Sequence, residues 1–93
     1  MLDKAKDIAE LLKVISNENR LLIVCRLIEK PMNVSELHEN LKHLTQSALS
    51  QHLAILKAHK ILESNKNGLT ITYSIYDERI IKLMEAIKKN YCD

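Results

Sequence analysis

The chain has no tryptophan, no phenylalanine, one proline and one glycine in 93 residues. Without the large aromatics its core has to be aliphatic, built from Leu and Ile. A single glycine leaves no Gly-rich loop to cradle a phosphate. The two cysteines, Cys25 and Cys92, form no local Cys-x-x-Cys, and no acid–base cluster has catalytic spacing, so an enzyme is not expected. No apolar run approaches the roughly 20 residues that span a bilayer. The start, Met1-Leu2-Asp3-Lys4-Ala5-Lys6, lacks the apolar segment of a secretory signal, and a cytoplasmic protein is expected. In that reducing compartment two cysteines are not a permanent staple, which leaves core residues or reactive thiols. The length suits one domain over residues 1–93, with no internal repeat. A net charge of +2 permits nucleic-acid binding without demanding it, because the location of charge decides.

What is present centres on residues 45–59. Leu49, Leu53 and Leu56 recur at helical spacing as one apolar stripe, while Ser47, Ser50, Gln51 and Ala54 project together on the opposite face. A merely solvated face carries Lys, Glu and Arg. Short side chains with amides and hydroxyls suit close approach to base edges. This stretch reads as a DNA-recognition helix.

The segments around it agree. From Asp3 to Ile15, Ala5, Ile8, Ala9, Leu12 and Ile15 make an apolar helix face that Leu11 and Val14 widen, as for docking on a partner subunit. Ser16-Asn17-Glu18-Asn19 can cap a second helix, apolar in nearly every direction from Leu21 to Ile28 and therefore central and buried. Pro31 ends it. Asn33 with Glu36 three residues on is the signature of another cap, and Val34, Leu37 and Leu41 give a short amphipathic helix to about Lys42. The link Lys42-His43-Leu44 then makes a helix-turn-helix, without the glycine often found in its turn. Leu69, Ile71, Tyr73 and Ile75 alternate with Thr70, Thr72 and Ser74 as a half-buried strand paired with Ile61-Leu62-Glu63-Ser64. Asn65-Lys66-Asn67-Gly68 supplies residues that tolerate positive φ in the hairpin turn. Asp77 caps a last helix to about Asn90, with Ile80, Ile81, Leu83, Met84 and Ile87 on a broad apolar face. The expected fold is mainly α with a small β-hairpin, a winged helix-turn-helix of four helices, two strands and a fifth helix.

That order resembles the ArsR/SmtB family of winged-helix repressors over essentially the whole chain. The resemblance rests on Asn19-Arg20-Leu21-Leu22-Ile23, Val34-Ser35-Glu36-Leu37, the run Ser47 to Leu56, and Ile71-Thr72-Tyr73-Ser74-Ile75. It implies a homodimer through the first and last helices, bound to a palindromic operator of double-stranded DNA and released by an inducer. Ser47, Ser50 and Gln51 match the family's groove-facing positions, with Gln46 and His52 beside them. His52 lies between the polar and apolar faces, so base contact and packing both stay open. Lys57, Lys60 and Lys66 are candidate phosphate contacts, and one cation in the wing implies a weak grip there. The family's arsenic-type Cys-x-Cys site falls on His38 and Asn40, and its zinc-type site on Asp77, Arg79, Asn90 and Asp93. Neither donor set survives, and no metal or cofactor is expected at those places.

Cys25 suits a buried helix, since an unoxidised cysteine packs as a small hydrophobe. Cys92, in Asn90-Tyr91-Cys92-Asp93, has no packing to serve. Both placements are similar to those in the branch of the family that includes BigR and its YgaV-like relatives. That resemblance implies a sensor of persulfides and related oxidants, in which the two thiols are bridged and DNA affinity falls. Two competing readings are a repressor sensing a soft metal or metalloid through the same thiolates, and a winged helix used only for protein association.

Overall fold

The computed structural model describes residues 2–91, with the backbone alone at 90 and 91. Five helices and three short strands follow in the order α1 (Leu2–Ile15), α2 (Glu18–Glu29), β1 (Met32–Asn33), α3 (Val34–Asn40), α4 (Gln46–Ala58), β2 (Leu62–Asn67), β3 (Thr70–Ile75) and α5 (Glu78–Tyr91). No described helix is long and apolar enough to cross a membrane.

Local chemistry sets the boundaries. The Asn17 side chain accepts hydrogen bonds from the amides of Asn19 and Arg20 at 3.0 and 3.1 Å and opens α2. Asn33 and Glu36 form a reciprocal capping box, with the Glu36 amide donating to Asn33 Oδ1 (2.8 Å) and the Asn33 amide to Glu36 Oε1 (3.0 Å). Thr45 Oγ1 accepts from the Ala48 amide at 3.0 Å and starts α4. Asp77 Oδ1 accepts from the Arg79 amide at 3.0 Å at the head of α5.

The core is aliphatic. Ile23, Val24, Leu37, Leu49, Leu53, Leu56, Ile61 and Ile80 lose all solvent contact, with Met32 and Met84 nearly so. The α4 stripe of Leu49, Leu53 and Leu56 is thus the inner face of the helix-turn-helix, as its spacing predicts. The second helix is buried on one side only. Leu21, Leu22, Cys25 and Ile28 remain half-buried, so the expectation of a helix enclosed all round is corrected for the single chain.

The sheet is larger than the expected hairpin. The strands lie antiparallel in the order β1-β3-β2, with β1 added through Met32↔Tyr73 and Asn33↔Thr72. β2 and β3 pair from Leu62↔Ile75 out to Asn67↔Thr70, leaving only Gly68 and Leu69 in the turn. Gly68 has φ +67° and Leu69 has no positive φ, the pattern of a type II′ turn. Asn65 and Asn67 are strand residues, not turn residues. The apolar alternation also outruns the core. Tyr73 and Ile75 are half-buried, whereas Ile71 is exposed and Leu69 is 99% exposed.

Candidate nucleic-acid interface

The turn between α3 and α4 closes without glycine because its side chains hold it. Leu41 and Leu44 are both buried, and the Leu41 amide donates to the His38 carbonyl at 3.1 Å. His38 Nε2 lies 2.9 Å from the Leu44 carbonyl, and since a carbonyl only accepts, that nitrogen carries the proton. The histidine at the family's arsenic-site position is therefore a brace for the turn. His43 Nε2 likewise donates to Asn19 Oδ1 at 2.8 Å, tying the turn to the start of α2.

On α4 so positioned, Gln46, Ser47, Ser50, Gln51, Ala54 and Lys57 are all exposed. By helical angle Ser47, Ser50, Gln51 and Ala54 share the face turned away from the buried leucines, and Gln46 and Lys57 lie at its edge beside Leu53. His52 is half-buried between the two faces, and its Nδ1 is shielded from solvent without a hydrogen bond. Burial, and secondly the positive charge of Arg20, hold its pKa below the ordinary histidine value. Arg20 itself is anchored by its Nε–H, which donates to the Val14 carbonyl at 2.6 Å.

The far end of α4 shows an unusual residue. The Ile61 amide donates to the Leu56 carbonyl and the Lys60 amide to the Lys57 carbonyl, both at 3.0 Å. This pair of bonds is a Schellman motif, with buried Leu56 and Ile61 as its apolar contact. Its left-handed position, normally glycine, is Lys60 at φ +59°. Lys60 is exposed, and the motif turns the chain directly into β2.

Charge is segregated along the sequence in a way that spacing arguments overlooked. From Asn40 to Tyr76 there are four lysines (42, 57, 60 and 66) against one carboxylate, Glu63, a net of +3. The other residues carry ten basic and eleven acidic side chains, a net of −1. The first turn of α4 holds no acidic residue, whereas those of α1, α2, α3 and α5 each hold one. The positive end of the α4 dipole thus stays unneutralised by its own side chains, which favours a nearby anion. Lys66 stands exposed near the end of β2, across from Ile71.

Among the described residues no three His, Cys, Asp or Glu side chains are grouped to hold a metal ion. At the zinc-type positions, Asp77 is instead paired with the Arg79 guanidinium at 2.6 Å, and this hydrogen bond is the main cause of its lowered pKa. The Asn90 side chain and Asp93 lie outside the described residues. Cys25 is half-buried on α2 against the core, and Cys92 lies outside the described residues.

Residues 17–64, which contain the helix-turn-helix and the first three residues of β2, match the family described as bacterial regulatory protein, arsR family. The chain belongs to the ArsR family. Relatives along nearly its whole length agree. The transcriptional activator HlyU of Vibrio cholerae is 38% identical over 82 residues, covering 88% of this chain and 75% of the relative. A solved HlyU structure superposes with a TM-score of 0.94 over the full length of both chains at 34% identity, and one described as reduced HlyU gives 0.93. The biofilm growth-associated repressor of Xylella fastidiosa is 33% identical over 89 residues, 96% of this chain and 77% of the relative. The structure of that repressor, BigR, has a TM-score of 0.91. The regulator YgaV of Escherichia coli is 34% identical over 88 residues, 95% of this chain and 89% of its own. The ArsR chain is thus a winged-helix DNA-binding transcription regulator and not an enzyme.

Proposed function

We propose that this ArsR-family chain is a homodimeric repressor of a palindromic operator, released when a Cys25/Cys92 dithiol is bridged by reactive sulfur species. The observation that carries the DNA-reading part is the exposed, uncharged face of α4 inside a segment nearly free of carboxylates. On this reading Gln51 pairs with an adenine through its amide, and Ser47, Ser50 and Gln46 reach bases or phosphates. Lys57, Lys60 and Lys66 neutralise backbone phosphates. His52, half-buried, stands at the edge of the groove-facing set and helps to fix the angle of α4 against α2.

Dimerisation through α1 and α5 is supported on α1 by apolar surface that the single chain leaves open, while on α5 Ile81, Leu83 and Ile87 stay half-buried. Ile8 and Leu12, one helical turn apart on α1, are 47% and 45% exposed, and Leu2 is 86% exposed. Side chains of this size in a row belong under a partner. The two α4 copies would then stand in successive major grooves, about 34 Å apart.

The switch rests on the placement of the two cysteines along the chain. Cys25 sits on α2, which packs against both α1 and α4, while Cys92 follows α5. A link between them would tie the dimerising helix to the one that braces the reading head. The chemistry balances with an organic persulfide as oxidant. Two thiols lose two electrons and two protons, a disulfide forms, and the persulfide leaves as a thiol and hydrogen sulfide. About 3 kcal/mol of differential affinity between two dimer geometries would weaken DNA binding more than a hundredfold. The test compares wild type with Cys25→Ser/Cys92→Ser in DNA binding and in transcription from the regulated promoter. Wild type should lose binding after persulfide treatment and the variant should not. An equal response in both, or activation where repression is expected, refutes the respective part of the proposal.

A further inference from the structure

The tip of the wing carries a side chain that its own fold does not explain. Leu69 is 99% exposed, so it contributes nothing to the core. It occupies the second central position of a type II′ turn, where Asn, Asp or Ser is the usual companion of the preceding glycine. The hairpin beyond Ser64 and Tyr73 stands clear of the molecule. Asn65, Lys66, Asn67, Gly68, Leu69, Thr70 and Ile71 are all exposed. The strand register sorts their side chains. Asn65 faces Thr72 and Asn67 faces Thr70, so two amides and two hydroxyls share one side, while Lys66 and Ile71 share the other. No carboxylate occurs from Ser64 to Tyr76.

We infer that Leu69 is a specificity residue that enters the minor groove flanking each half-site and favours A·T pairs there. The inference rests on the DNA-reading role of α4 proposed above. Four residues beyond Ser64 extend the ribbon by roughly 14 Å. The minor groove next to a major groove filled by α4 is about half a helical repeat away, roughly 17 Å. A minor groove about 6 Å wide excludes the ribbon with its side chains and admits only the two-residue tip. What the tip presents is therefore what the groove meets, and here that is an isobutyl group. Against an A·T floor it lies between the sugar walls over acceptors that G·C pairs present as well, and no group projects up to meet it. Against G·C it meets the guanine 2-amino group, the one donor that projects into this groove, and would strip its water without offering an acceptor. Asn65, Asn67, Thr70 and Thr72 supply uncharged hydrogen bonds along the groove rim, and Lys66 supplies one charge for a phosphate. A wing of this composition adds sequence preference with little salt-dependent affinity, the reverse of an arginine-tipped wing.

The test uses the tightest-binding duplex that the full chain selects from a randomised library, with flanking A·T pairs changed to G·C and then to I·C. Inosine leaves the major groove of guanine intact and removes the 2-amino group. Wild type should bind the G·C flank about tenfold more weakly and recover on I·C, on the basis of one lost apolar contact in each of two wings. Leu69→Asn, at a fully exposed position that leaves the fold unaltered, should abolish that difference without changing the salt dependence. Leu69→Lys should instead strengthen binding to all flanks alike and steepen the salt dependence. Indifference of wild type to the flank, failure of I·C to restore affinity, or an unchanged flank preference in Leu69→Asn overturns the inference. If Gln51→Ala weakens binding to the selected duplex while Leu69→Asn leaves the flank preference unchanged, the wing inference alone fails. If no duplex is selected, the reading of α4 fails with it.

Discussion

Lys60 offers a perturbation whose two effects have opposite signs. It holds the left-handed position of the Schellman motif that ends α4, at φ +59°. A side chain in that conformation costs about 1–2 kcal/mol relative to ordinary backbone, and glycine escapes the cost. Glycine in turn gives up about 0.5–1 kcal/mol through the greater freedom of its unfolded chain. The difference predicts that Lys60→Gly stabilises the fold by about 0.5–1 kcal/mol, a rise in Tm of a few degrees for a chain of this size. If the lysine is retained for a phosphate, the same substitution weakens operator binding. Each lost phosphate contact removes about 0.9 from the slope of log affinity against log salt, so two copies in a dimer remove about 1.8. Thermal unfolding gives the first quantity, and fluorescence anisotropy between about 50 and 200 mM salt gives the second. Lower stability in Lys60→Gly would refute the reading of the motif. Higher stability with an unchanged salt slope would refute the assignment of Lys60 to DNA.

Other substitutions separate reading from folding. Gln51→Ala keeps a good helix former at an exposed site, so stability should stay within about 0.5 kcal/mol. Loss of a base pair of hydrogen bonds in each half-site should weaken specific binding by about thirtyfold or more with the salt slope unchanged, as read in titrations on specific and scrambled duplexes. Asn33→Ala removes the side-chain half of the capping box and should cost about 1 kcal/mol by chemical denaturation, while Ser35→Ala beside it should cost far less. His52 is held neutral by burial and by Arg20, so the unfolded chain takes up its proton first as pH falls. Its contribution to stability is present above the unfolded value of 6.5 and is lost as pH falls from there toward the lower folded value. His52→Gln should flatten that part of the stability profile, and an unchanged profile would contradict the assignment.

The elements that were legible in the sequence are those whose determinants are local. Asn33 with Glu36, and Leu49 with Leu53 and Leu56, act across one helical turn, so spacing alone places the cap and the inner face of α4. Asp77 at the head of α5 is a case of the same kind. The elements missed depend on partners distant in sequence. Met32 and Asn33 become a strand only because Tyr73 and Thr72 come alongside, and two residues carry no period of their own. The glycine-free turn is explained by His38 reaching the Leu44 carbonyl, which no local pattern encodes. Alternation predicts a half-buried strand through Leu69 and Ile71, but alternation reports only that one side is apolar. Whether a core waits beneath it is a tertiary fact, and the distal wing has none. The shielded Nδ1 of His52 and its neighbour Arg20 belong to the same class. By contrast, the carboxylate-poor run from Asn40 to Tyr76 was readable from the start, and it marks the reading surface more sharply than net charge does.

The most direct measurement is binding of the chain to the DNA upstream of its own gene, reduced and persulfide-treated, with intact mass taken on both samples. The account predicts tight, salt-dependent binding of the reduced dimer, and weak binding of the treated one with a mass change that reports a Cys25–Cys92 link. Equal affinity before and after a verified link would contradict it.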